Sequence, residues 1–477
     1  MKRNLIFLLC LLISSCQAQR QTNIEAPGYN IKVEVEHLKN QTIYLANNLG
    51  DKMYYTDTAL VDINGHAQFI GDSSLSTGKY SIVFPNFKFL QIIIDEQNFT
   101  IQTDTTDYYK TAKAINSVNN EAYFDYFRIV QDLNIEKSGL LTEKNDTSTS
   151  PARLTEIESN LISIEEGVKE MLHKEYKDHK GTFYSKVIAM GIPIDVPEAP
   201  FDANGKVIDE QFRYNYFKNH YFDFTDLSEP NIFRTPEYYN KLNDYFNKVI
   251  PQVPDSMPAE VDRFLPKVNH DPELYSYTLR FLAANFKRSK YMGMEIGYVH
   301  VINNYFNEET IIGLEPDRLK DAMEEAKDMT HTLLGNIAPN INLHDATEQK
   351  YTKLHDVKAP YTLVYIWSPT CSHCLEENPD VIDFNNQFRS MGVKTYAVCA
   401  DQELEEWKKY LNENYEFALS INVADSPGHR SKFRNLYNTR KTPVVLLLDK
   451  DKTILTKRLS VKQVGDFLNK LLKEPGN

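Results

Sequence analysis

The sequence predicts a multidomain protein: an N-terminal β-sandwich-like domain, an α-helical middle domain and a C-terminal α/β domain. Three observations carry this. The chain has 477 residues, and at about 150 residues per domain that makes about three domains. Residues 27–106 read as short apolar–polar alternations broken by turn residues, and residues 119–334 as apolar stripes at helical spacing. Residues 335–477 alternate buried-strand runs with helical stripes, as an α/β fold requires.

Composition bounds the rest. The formal charge of −13 leaves no basic face for nucleic acid. Apolar residues at 42% and aromatics at 12% suffice for buried cores. Lys2 and Arg3 precede the apolar run Leu5 to Ile13, a charged and then apolar leader too short to span a bilayer comfortably. Ile13-Ser14-Ser15-Cys16 resembles a bacterial lipobox. That resemblance implies a signal peptide over 1–15 and a lipid on the Cys16 sulfur, with ordinary secretion by cleavage after Ala18 as the alternative. Both place the mature protein outside the cytoplasm. No acidic run follows Cys16, so the expectation is a cell-envelope lipoprotein, anchored to the membrane and facing the periplasm. No other segment approaches the roughly 20 apolar residues of a membrane helix.

In 27–106, Ile31-Lys32-Val33-Glu34-Val35 alternates, and the runs Tyr80 to Phe84, Leu90 to Ile94 and Phe99 to Ile101 follow. Asn64-Gly65, between Ala59-Leu60-Val61 and Ala67 to Ile70, predicts a tight hairpin. In 119–334, Ser150-Pro151, Thr235-Pro236 and Asp271-Pro272 each set a capping residue before proline at the first helical position. Leu154, Ile157, Leu161 and Ile164 keep helical spacing behind the first of them. The aromatic stretch Phe212 to Phe224 is expected to be core rather than a ligand platform. Both regions resemble the uncharacterised β and helical domains that precede thioredoxin modules in envelope lipoproteins.

The richest stretch is Trp367-Ser368-Pro369-Thr370-Cys371-Ser372-His373-Cys374, a Cys-x-x-Cys after the apolar run Tyr361 to Trp367. Behind it Val381, Phe384, Phe388 and Met391 form a helical stripe that contains Pro379, where a kink is expected. The pattern says strand, turn, helix. A thiol in the first helical turn meets unpaired N–H groups and the positive end of the helix dipole. Both favour thiolate, lowering a cysteine from about 8.5 into a range of roughly 3.5–7.5. Downstream, Thr442-Pro443 precedes the buried-strand run Val444 to Leu448 and the turn Asp449-Lys450-Asp451-Lys452. Ser460-Val461-Lys462-Gln463 is a capping box opening a last helix.

Trp367, Cys371, Cys374, Glu377 and Pro379, with Thr442-Pro443, resemble the TlpA/ResA-type thiol–disulfide oxidoreductases of the thioredoxin-like superfamily. The resemblance covers residues 335–477. It implies a thioredoxin-like fold, a cis Pro443 facing the cysteines, and a redox-active Cys371–Cys374 disulfide with protein disulfide substrates and an electron donor or acceptor partner. Cys371 is then the attacking thiolate and Cys374 the resolving thiol. His373 either supports the thiolate or is a bystander. Glu377 either handles protons or is a surface carboxylate, and Trp367 packs near the disulfide. Thr442 offers backbone groups to an extended substrate. Cys399, in the strand-like run Val393 to Cys399, reads as a small buried hydrophobe. No cofactor is expected. Cys371, Cys374 and His373 are too few for a metal site, and the sequence offers no second cluster. The peroxiredoxin spacing is missing. The competing reading is a partner-binding or scaffold lipoprotein with a weakly active thioredoxin module.

Overall fold

The computed structural model describes residues 28–401, 403–425 and 432–473. Cys10, Cys16 and the expected leader lie outside them. The chain forms two compact units, residues 1–192 and 193–477. The helical segment expected over 119–334 is therefore divided between them.

The first unit holds eight strands: β1 (Tyr29–Glu36), β2 (Thr42–Leu49), β3 (Lys52–Leu60), β4 (His66–Gly71), β5 (Gly78–Val83), β6 (Phe89–Ile94), β7 (Asn98–Asp104) and β8 (Lys113–Ile115). They make two four-stranded sheets, β4-β1-β7-β8 and β3-β2-β5-β6. In β1, Ile31, Val33 and Val35 are buried while Lys32 and Glu34 are not, the period-two pattern of a strand with one face inward. The Asn64-Gly65 turn forms. The Asp62 carboxylate accepts from the N–H groups of Asn64 and His66, and Gly65 takes φ +90°. It is not a hairpin, because β3 pairs with β2 and β4 with β1, in different sheets. The turn carries the chain from one sheet to the other.

Helices Val118–Lys144, Pro151–Asp178 and Phe183–Ala189 belong to this unit. Asn120 shows why. It is fully buried, its Oδ1 accepts from the Ile93 N–H at 2.8 Å, and its Nδ2 donates to the Ile93 carbonyl at 2.7 Å. It thus pairs with the edge strand β6 as a neighbouring strand would. Ser150 caps its helix as expected, accepting from the Arg153 N–H.

In the second unit, Thr235 and Asp271 cap helices Pro236–Asp244 and Pro272–Arg288 through the N–H groups of Tyr238 and Leu274. The Phe212–Phe224 aromatics are less internal than expected. Only Tyr221 is buried, and Phe222 packs at a tilt against Tyr245 and Phe264 while half-exposed itself. Helices Glu295–Tyr305 and Pro316–Thr330 complete the helical part.

The remainder is a seven-stranded sheet of β9 (Asn342–His344), β10 (Tyr351–Lys353), β11 (Thr362–Trp367), β12 (Lys394–Cys399), β13 (Ile421–Ala424), β14 (Val444–Leu448) and β15 (Ile454–Lys457). Its order is β10-β9-β13-β12-β11-β14-β15, with β11, β12 and β13 parallel and β14 and β15 antiparallel. Both faces are covered. Leu363, Tyr365 and Trp367 of β11 enter one core, and Val364 and Ile366 enter the other. That explains the unbroken apolar runs of the central strands. The fold is therefore β-rich, then helical, then α/β of thioredoxin-like layout, as expected from the sequence.

Candidate active site

Strand β11 ends at Trp367, and four residues, Ser368 to Cys371, turn the chain into helix Ser372–Phe388. The turn is pinned by Ser368. Its hydroxyl accepts from the Thr370 N–H at 3.0 Å and donates to Asp401 at 2.9 Å, and its carbonyl accepts from the Cys371 N–H. Cys371 is the N-cap of the helix and half-buried; Cys374, one turn in, is fully buried. Both are free thiols, hydrogen-bonded to each other.

Cys371 Sγ lies 3.5 Å from the Thr442 carbonyl, and the Thr442–Pro443 peptide is cis. Chain positions far apart in sequence thus meet at one point. Burial raises the Cys371 pKa, but hydrogen bonds with the Cys374 thiol and Thr442 outweigh it, helped by the N–H groups of Cys374 and His373. Neither N–H closes a full capping hydrogen bond on Sγ; they act as nearby dipoles. The net effect is a pKa below the ordinary thiol value. Cys374 moves the other way, chiefly by burial and then by the bond to Cys371. One thiol is disposed to ionise and its neighbour to keep its proton.

The supporting residues separate. The His373 side chain is exposed and has no hydrogen bond among the described residues, so its influence on Cys371 passes through the backbone. Glu377 Oε1 accepts from the Val461 N–H at the start of helix Val461–Lys473. The capping box is present beside it: Ser460 N–H donates to Gln463 Oε1 and Gln463 N–H to Ser460 Oγ. Glu377 therefore satisfies one more orphan donor of that helix start. Trp367 is fully buried, its ring 4.9 Å from Tyr410 and 4.8 Å from Phe417.

Cys399 sits opposite Trp367 on β12, fully buried, and burial pushes its pKa up to about 12. It is buried as a small hydrophobe is expected to be.

A buried polar relay escaped the sequence reading. The Tyr365 hydroxyl reaches the Cys374 carbonyl at 3.1 Å and Asn378 Oδ1 at 2.9 Å, and Asn378 Nδ2 donates to Tyr410 at 2.8 Å. The one signal was Asn378 itself, a polar residue on the face carrying Cys374 and Val381. A second cluster also went unseen. Among the described residues, Glu36, His37 and Asp104 bring ligand atoms within 4.8 Å of one another. Glu36 and His37 are exposed, and sequence spacing hides the group because β7 brings Asp104 alongside β1.

Residues 360–454 match the profile of a thioredoxin-like family, which identifies the C-terminal domain as thioredoxin-like. Residues 165–328 match a domain of unknown function, DUF5106, which spans the boundary between the two units. Among curated proteins no significant match was found. Of solved structures, a thioredoxin-like protein from Bacteroides caccae is 21% identical over 59% of this chain and 99% of its own, with a TM-score of 0.46. A domain of a possible thiol-disulfide isomerase from Cytophaga hutchinsonii is 36% identical over 30% of this chain and 94% of its own, with a TM-score of 0.28. The thioredoxin domain of a thiol-disulfide oxidoreductase from Bacteroides vulgatus is 25% identical over 29% and 98%, with a TM-score of 0.27.

Proposed function

We propose that this protein is an envelope thiol–disulfide oxidoreductase that exchanges disulfides with protein substrates through Cys371 and Cys374. The observation that carries the reading is the opposed tuning of two hydrogen-bonded thiols at a helix start, beside the Thr442 carbonyl. The Cys371 thiolate attacks one sulfur of a substrate disulfide. A mixed disulfide forms, the substrate S–S bond breaks, and the released thiolate takes a proton. Cys374 then loses its proton and attacks Cys371 Sγ, releasing the second substrate thiol. The protein dithiol is oxidised by two electrons and the substrate disulfide reduced; the reverse sequence oxidises a substrate dithiol. Reduction or reoxidation of the pair falls to a donor or acceptor partner.

Burial of Cys374 suits its role, since a thiol that stays protonated does not compete for substrate. Thr442, next to the attacking sulfur, is placed to offer its backbone to an extended peptide. The leader and Cys16 support a lipid-anchored protein facing the periplasm. No described helix is long and apolar enough to cross a membrane, so on this reading the lipid alone holds it there.

The test is substrate trapping. Cys374→Ala should retain mixed disulfides with its natural partners, because nothing resolves them, and Cys371→Ala should retain none. Equal capture by both would reverse or abolish the assignment.

A further inference from the structure

Pro443 and Glu377 border a cleft of about 840 Å³. Its far wall is not thioredoxin-like at all. It is built by Lys287 and Arg288 at the end of helix Pro272–Arg288, by Glu295, and by Glu325 and Met329 of helix Pro316–Thr330. The helical part of the second unit thus walls a cleft that reaches Lys441 and Pro443, the two neighbours of Thr442. We propose that this cleft selects substrates whose disulfide cysteine is flanked by an acidic, extended segment. The inference rests on the oxidoreductase reading and names its substrate class.

Charge carries it. The cleft is lined by six cationic residues, Lys287, Arg288, Arg440, Lys441, Lys457 and Arg458, against three carboxylates, Glu295, Glu325 and Glu377. This surplus of three positive charges stands in a chain whose net charge is −13. All three carboxylates are already engaged. Glu325 pairs with Lys287 at 2.5 Å, Glu295 with Lys457 at 2.8 Å, and Glu377 accepts from the Val461 N–H. Arg440 has Asp328 at 3.4 Å. Arg288 and Lys441 are exposed and have no ion pair among the described residues.

Placement adds to charge. Lys441 directly precedes Thr442, whose carbonyl touches Cys371. An extended peptide advances about 3.3 Å per residue, so side chains one or two positions from the substrate cysteine come level with Lys441. Arg458 adds a strained backbone, with φ +59° in a non-glycine residue. Its guanidinium is held by the Lys287 carbonyl at 3.0 Å and by Glu295 at 3.8 Å. Strain of this kind persists only where surrounding contacts enforce it, and it gathers at ligand sites.

The experiment compares three disulfide peptides of equal length with acidic, neutral or basic residues beside the cysteines, using the full chain at low salt with excess reduced glutathione to return Cys371 and Cys374 to the dithiol, and subtracting the rate without protein. The acidic peptide should be turned over about tenfold faster than the basic one, through a faster encounter that added salt suppresses. The variant carrying Arg288→Gln and Lys441→Gln should lose most of that ratio. Lys409→Gln, which removes a cation outside the cleft, should keep it. Equal rates for the three peptides, or a ratio indifferent to the double variant, would overturn the inference and leave the oxidoreductase reading intact. No turnover of any peptide would overturn that reading itself.

Discussion

Cys371 is governed by two opposing effects of similar origin. Burial disfavours its charge, while the Cys374 thiol, Thr442 and two backbone N–H groups favour it, and the second set wins. Alkylation of the folded, reduced protein should therefore show Cys371 reacting with a midpoint below the ordinary thiol value of about 8.5. Cys374 and Cys399 should stay protected to more alkaline pH, since burial raises both. Mass spectrometry after labelling across pH checks this, and modification of Cys399 alongside Cys371 would refute it. The His373 prediction is sharper. Its ring is exposed and its backbone N–H faces the thiol, so His373→Ala should leave the Cys371 midpoint in place. His373→Pro removes the N–H and should raise it. The species losing support is the reduced one, so the couple should become more reducing, by roughly 30 mV per pKa unit. Trp367 fluorescence against glutathione ratios reads the potential; a shift in His373→Ala equal to that in His373→Pro would return the effect to the imidazole. The cysteines were legible because spacing and context fix a helix start. The route by which His373 acts was not, because adjacency in sequence does not say which atoms of a residue face its neighbour.

Elements were most legible where a local rule closes within a few residues. Ser150, Thr235 and Asp271 cap the helices their sequences announce, and Ser460 with Gln463 forms its capping box. Strand partners were less so, because pairing is decided across the fold. The Asn64-Gly65 turn forms, yet the strands it joins lie in separate sheets. Strand β2 passed unnoticed because its Asn47 and Asn48 have poor strand propensity; Asn48 is nevertheless buried, its amide donating to the Lys79 carbonyl. Glu377 belongs to this scale as well. It lies in helix Ser372–Phe388 and caps helix Val461–Lys473, so it couples the helix that starts at the dithiol to the last helix of the chain. Glu377→Ala should cost about 1 kcal/mol, the usual worth of a cap, and Glu377→Gln, which keeps an acceptor oxygen, clearly less. Urea unfolding followed by tryptophan fluorescence measures both. Unchanged stability in Glu377→Ala would free Glu377 from a structural role and return it to the chemistry of the site.

At the scale of the molecule, the three expected regions are present, but the chain divides at Ile192 rather than where strand patterns give way to helical ones. The cause is tertiary. The buried Asn120 amide ties the first helix to β6, and asparagine at a helix start gives no such sign in sequence. In the second unit the helical part and the thioredoxin-like domain are joined by the pair Lys457–Glu295, with both side chains about nine-tenths buried or more. Lys457 Nζ also donates to the Thr332 carbonyl at 2.6 Å. A buried pair need not stabilise relative to apolar residues, but breaking one partner leaves an uncompensated charge. Glu295→Gln should therefore destabilise this unit by about 3–5 kcal/mol. The combined change Glu295→Leu with Lys457→Met should recover much of that loss, because no buried charge is left unpaired and Arg458, the other partner of Glu295, is exposed to water. Both tryptophans, Trp367 and Trp407, are buried in the thioredoxin-like core, so denaturant unfolding of the full chain by fluorescence reports this unit alone. If Glu295→Gln unfolds at the wild-type midpoint, the pair does not hold the helical wall against the sheet, and the cleft beside Pro443 must owe its shape to the apolar contacts around it.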